Sequence, residues 1–190
     1  MNRRLTRYGH IASFATAFLI ALSACGGAGT ASPDVLGMLR QGEPQSESYK
    51  ISYLHTDSGR VRARLTAPHA VEYLEGPEKF SRLEMDRGLR LTFYGKTGAQ
   101  ESDLTANEGT LWRQKGKAEA RGKVVLKNAK NEMLETERLE WLQAQDIIRT
   151  DAPVRITSEQ GLILGTGLES NASFTRYRIF KIRQSTLNVE

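Results

Sequence analysis

Cysteine is almost missing: Cys25 stands alone in 190 residues. A single thiol excludes an internal disulfide and leaves no pair for redox chemistry. Histidine is scarce as well. His10, His55 and His69 are isolated, and no Cys/His/acid cluster has the spacing of a metal site. A nucleotide-binding loop is missing. "GKT" at 95–97 ends like a P-loop, but Arg90 stands where that loop needs glycine. "GTG" at 165–167 precedes no helix signal, and "NAS" at 171–173 is a glycosylation sequon only in form. No catalytic constellation emerges, so neither an enzyme nor a cofactor is expected. A long hydrophobic run is absent too. The apolar stretch "IASFATAFLIAL", residues 11–22, has 12 residues, and a membrane-spanning helix needs about 20.

That short stretch has a context. Arg3, Arg4 and Arg7 precede it, and "LSAC" follows at residues 22–25. A basic flank, an apolar segment and small residues describe a secretory signal. Leucine, two small residues and then cysteine resemble the lipobox of bacterial lipoproteins. That resemblance makes residues 1–24 a removable leader and Cys25 the acylated N-terminus. An ordinary signal peptide, or an uncleaved N-terminal helix acting as anchor, are the other readings. Setting the leader aside removes three arginines and leaves 24 basic against 22 acidic residues, a net of +2. The basic pI belongs partly to the leader, so a nucleic-acid partner is not expected. Residues 25–48 are poor in large apolar groups and read as a flexible tether.

Residues 49–190 carry an internal repeat. "VVLKNAKNEMLET" from Val124 and "VRITSEQGLILGT" from Val154 superimpose with a shift of 30 residues. The shift places Val124 on Val154, Leu126 on Ile156, and Leu134 on Leu164. A shift of 39 aligns "LTAPHAVEY" (65–73) with "LTANEGTLW" (104–112). Each unit is an alternating apolar run, a polar turn and a second run. "PVRITSEQGLIL" has the Pro, β-branched alternation and turn glycine of a hairpin. In "GLRLTFYGKTGAQ", Leu89, Leu91 and Phe93 recur at period two. "NEMLETERLEWLQAQ" (131–145) is helical by composition. Its place in the repeat, with Leu139 and Trp141 alternating around Glu140, makes it a strand instead. About ten or more antiparallel strands are expected. Single hairpins cannot hide an apolar face, so the units must stack. The expected fold is all-β: one open, twisted antiparallel jelly roll or half-pipe over residues 49–190.

The stretches "YLHTDSGRVRARLTAPHAVEY", "GKVVLKN", "LETERLEWL", "TDAPVRITSEQGLILGTGLESN" and "RYRIFKIR", in that order and spacing, resemble the LptC family of lipopolysaccharide export. The resemblance covers about residues 49–185, and OstA-type relatives such as LptA share the repeat. It implies a periplasmic protein held at the inner membrane by its N-terminal anchor. Its partners would be lipopolysaccharide, the periplasmic domain of the Lpt ABC transporter, and an LptA-like bridge. Acyl chains would lie along an apolar inner face, for which the alternation nominates Leu91, Phe93, Leu104, Val124, Leu126, Leu134, Leu139, Trp141, Val154, Ile156, Leu162 and Leu164. Ala172 and Phe180 would stand near the exit. The C-terminal edge, with Arg176, Tyr177, Arg178, Ile179, Lys181 and Arg183, would pair with the bridge or meet lipid phosphates. Two other readings stay open. One is a different OstA-type lipid-binding bridge. The other is a structural β-repeat lipoprotein with a closed, dry core.

Overall fold

The computed structural model describes residues 44–187, apart from Pro77 and Lys79. Eleven strands follow one another: β1 (Pro44–Asp57), β2 (Arg60–Glu75), β3 (Phe80–Met85), β4 (Leu89–Tyr94), β5 (Gln100–Ala106), β6 (Glu108–Trp112), β7 (Lys117–Asn128), β8 (Met133–Leu142), β9 (Ile147–Ser158), β10 (Gly161–Asn171) and β11 (Tyr177–Leu187). The only helical element among the described residues is a 3-10 turn at Gln143–Gln145. The ambiguous segment is therefore a strand, because cross-strand pairing outweighs its helical composition. β1 begins at Pro44, so the strand takes up the last residues of the stretch read as tether.

Every strand pair is antiparallel, and all belong to one sheet. The sheet runs β11-β10-β9-β8-β7-β5-β4-β2-β3-β6, β6 returns to pair with β7, and β1 covers the free edge of β2. Two long strands make the closure. Residues 63–66 of β2 pair with β4, and residues 71–75 pair with β3. Residues 125–128 of β7 pair with β5, and residues 117–121 pair with β6. β2, β4, β5, β7, β6 and β3 thus form a ring, and β8–β11 extend it on one side.

A crease runs across the long strands. In β7 it is marked by Gly122 (φ 71°) and Lys123 (φ 49°), in β8 by a register shift between Thr136 and Glu140, and in β10 by Gly167 (φ 74°). Glycine reaches this left-handed backbone without a Cβ penalty, and such bulges bend a sheet sharply. The bend turns one half-sheet, built on β4 and β5, to face the other, built on β3 and β6. Phe93 of the first meets Trp141 of the second edge-on at 5.0 Å. The core between them includes Leu65, Leu83, Leu91, Leu104, Leu111, Leu126, Leu134, Leu139 and Ile156, all buried.

Candidate functional site

The apolar interior is continuous from the ring to the C-terminal strands. Register carries it across the sheet: Leu104 opposes Leu126, Leu126 opposes Leu134, Leu134 opposes Ile156, and Ile156 opposes Ile163. Leu91, Phe93, Val124, Leu139, Trp141 and Val154 are buried in the same core. It is densely packed. The residual cavity bounded by Leu65, Leu89, Leu91, Leu104, Leu139 and Trp141 is only about 20 Å³.

Two residues expected in that interior, and Phe180 expected near its exit, lie on the outer face. Leu162 and Leu164 oppose Thr157 and Arg155 on the outer face, and Ile163 takes the inner position. The cause is turn length. Leu126 pairs with Leu134, eight residues on, whereas its repeat equivalent Ile156 pairs with Ile163, seven residues on. One residue fewer in a hairpin moves every following side chain to the opposite face. Leu164 instead borders an outer groove of about 780 Å³ with Lys123, Glu135, Arg155 and Arg183. Phe180 is 53% exposed and borders an outer depression lined by charged groups such as Lys117, Glu140 and Arg149. Arg178 lies over its ring at 5.0 Å.

Ala172, placed near the exit by the resemblance, is buried and stands in the β10–β11 loop. This loop closes the mouth between the half-sheets. Ser102 Oγ donates to the Ala172 carbonyl at 2.6 Å, and Asn128 Nδ2 donates to the Phe174 carbonyl at 2.8 Å. The Ala172 N–H donates to the Asp146 carbonyl at 3.1 Å. Between these anchors Phe174 is fully buried at φ 53°. A bulky residue rarely adopts that backbone, and burial of the ring offsets its cost. Phe174 stacks on Tyr177 at 5.0 Å. Farther along the mouth, Arg62 Nη2 approaches Asp146 Oδ2 at 3.9 Å, and His55 meets Trp141 edge-on at 5.3 Å.

Two strand edges are unpaired among the described residues: β1 and β11. Of the expected edge residues, Arg176 belongs to the turn before β11. Tyr177 and Ile179 pack against the core, and Arg178, Lys181 and Arg183 are exposed. Ile182 continues the inner row but is 63% exposed. An exposed edge of this kind invites pairing with another strand. On β1 a constellation appears that the isolated histidines of the sequence did not announce. His69 Nδ1 faces Asp86 Oδ1 at 2.5 Å, and its Nε2 faces Glu47 Oε1 at 2.8 Å. A carboxylate on each nitrogen favours the imidazolium form, the one in which both nitrogens donate. The hydrogen bonds to Asp86 and Glu47 raise the His69 pKa. Hydrogen bonds from Tyr49 and His69 lower that of Glu47, and the His69 bond lowers that of Asp86. Only the juxtaposition of β1, β2 and the β3–β4 loop shows this cluster.

No cluster of three or more His, Cys, Asp or Glu among the described residues has the arrangement of a metal site, and no helix among them is long and apolar enough to cross a membrane. Cys25 lies outside the described residues. A family model described as lipopolysaccharide-assembly, LptC-related matches residues 16–181. No curated protein matches the chain.

Proposed function

This chain belongs to the LptC-related lipopolysaccharide-assembly family, and on that premise we propose that it carries lipopolysaccharide acyl chains between the half-sheets and hands them to a bridge protein docked on β11. The observation that carries this reading is the continuity of the apolar inner face to an unpaired edge, from Leu126 through Ile156 to Ile179 and Ile182. An acyl chain of about a dozen carbons costs roughly 9 kcal/mol to hold in water, so a multi-acylated lipid needs a shielded path across an aqueous compartment. A strand added to β11 would prolong that face into the next molecule. The other edge, β1, would meet the periplasmic domain of the Lpt ABC transporter. Acylated Cys25 would anchor the chain at the inner membrane from the periplasmic side. The free energy for movement would come from the transporter, and no chemistry is assigned to this chain.

In-cell photo-crosslinking tests the reading. A crosslinker at Phe93 should capture lipopolysaccharide, while one at Leu164, on the outer face, should not. A crosslinker at Ile179 should capture an LptA-like strand. Equal lipid capture from both faces would defeat the groove. Cys25→Ser should block lipidation, and an unchanged mature N-terminus would defeat the anchor.

The tight interior favours a second reading, a dry β-scaffold. Depletion separates the two. Lipopolysaccharide accumulating at the inner membrane supports transport, and an unchanged distribution supports the scaffold.

A further inference from the structure

The mouth between the half-sheets holds hydrogen-bond donors with nothing to bond. Arg62 Nη1 and Trp141 Nε1 are buried and have no partner among the described residues. His55 links the two positions. Trp141 meets its ring edge-on, and Arg62 lies between Val61 and Ala63, the residues that pair with Thr56 and His55 across β1 and β2. Trp141 is 5% exposed and also borders the residual interior cavity, so its indole joins the apolar interior to this polar cluster. Asp146 answers Arg62 only loosely, at 3.9 Å, beyond hydrogen-bond length. Burial pushes the Asp146 carboxyl up, against the opposing pull of Arg62 and His55. Asp57 is the other acid whose charge reaches His55.

We propose that Arg62 and the Trp141 indole N–H form a head-group subsite at the mouth, which takes a phosphate-class oxyanion of an amphiphile whose chains lie in the interior. The inference rests on the groove reading above and deepens it. The chemistry selects the ligand. A guanidinium is a planar fork of donors matched to phosphate or carboxylate oxygens, and an indole nitrogen can only donate. Two buried donors with no acceptor call for an acceptor, and the fixed positive charge of Arg62 favours an anion and repels a cation. The position selects an amphiphile over a free anion, because Trp141 places the apolar interior directly beside the donors. As the oxyanion takes Arg62, Asp146 gives up a contact that is already long.

The test uses the full chain in nanodiscs of digalactosyldiacylglycerol, a lipid without phosphate, on a tryptophan-free scaffold, with Trp112→Phe, which leaves Trp141 as the chain's only tryptophan. Its fluorescence is followed against octyl phosphate, octyl glucoside and inorganic phosphate, the amphiphiles kept below micelle formation. Octyl phosphate should half-saturate at about tenfold lower concentration than octyl glucoside, the worth of one charge-assisted hydrogen bond. Inorganic phosphate should bind at least tenfold more weakly than octyl phosphate. Arg62→Gln should abolish the preference and leave octyl glucoside unchanged. Arg62→Lys, which keeps the charge but not the fork, should retain part of it and serves if the glutamine variant does not fold. Equal binding of the two amphiphiles would overturn the subsite alone, as would a preference undiminished in the Arg62 variants or inorganic phosphate binding as tightly as octyl phosphate. Binding of neither amphiphile would overturn the groove reading and the subsite with it.

Discussion

β1 and β11 are the two free edges of one sheet, yet different forces hold them to it. β11 is held by shape. Tyr177 stacks on the buried Phe174, and Ile179 lies over Gly165. β1 is held in part by charge, through the Glu47–His69–Asp86 cluster. Its apolar packing matches that of β11, since Ile51 and Tyr53 are partly buried as Tyr177 and Ile179 are, so the charge cluster is what sets β1 apart. One edge should therefore respond to packing and the other to pH.

The comparison breaks most visibly at Phe174. Phe174→Ala removes a fully buried ring and should cost about 3–5 kcal/mol in denaturant unfolding. Hydrogen exchange should rise first in β11 and the loop before it. If β1 exchanged as early, the plug would not belong to the C-terminal edge. A smaller effect is expected at Gly165. A Cβ built there meets the Ile179 side chain at 2.5 Å and the Lys181 carbonyl at 2.8 Å. Gly165→Val should push β11 away at about 1–3 kcal/mol. Crosslinking of Ile179 to a bridge strand should fall with it, while β1 keeps its amide protection.

The pH prediction concerns β1 alone. The raised pKa of His69 contributes stability that is complete below about 6.5, the ordinary histidine value, and is lost as pH rises through the folded value. The lowered Glu47 and Asp86 values contribute stability above the ordinary carboxylate range, lost as pH falls through their folded values. β1 should therefore be tightest at mildly acidic pH and loosen as the solution becomes alkaline. Amide exchange of residues 46–49, corrected for intrinsic rates, should show this, and Glu47→Gln should flatten it. A matching change in β11 would contradict an ionic latch. The smallest effect belongs to the outer face between the edges. Arg155 pairs with Glu135 at 3.4 Å with both side chains exposed. Arg155→Ala should change stability by less than about 1 kcal/mol and leave both edges as they are.

Much of the sheet was legible because its signal is local. Val124 and Leu126 recur at period two, Leu139 and Trp141 alternate around Glu140, and all four are buried in the core. The 39-residue repeat also has a structural sense. Leu65 and Leu104 are both buried, as are Ala67 and Ala106, and the single strand β2 corresponds to β5 and β6 broken at Asn107. What could not be read depends on contacts between distant segments. Arg62 meets Asp146, and Ser102 meets Ala172, only because the sheet folds along its crease. His69 looked solitary because its two carboxylates come from another strand and a loop.

Alternation by itself determined that these residues form strands with one apolar face, since a period of two cannot serve a helix. It also determined that the units must stack, since one hairpin cannot bury its face. Which residues occupy that face was decided only in three dimensions. A period-two pattern leaves the phase free by one residue, and the turns and bulges set it. One residue fewer between β9 and β10 sent Leu162 and Leu164 outward and brought Ile163 in. The crease at Gly122 and Gly167 then turned two half-sheets toward each other and formed the mouth where Arg62, Trp141 and Phe174 stand.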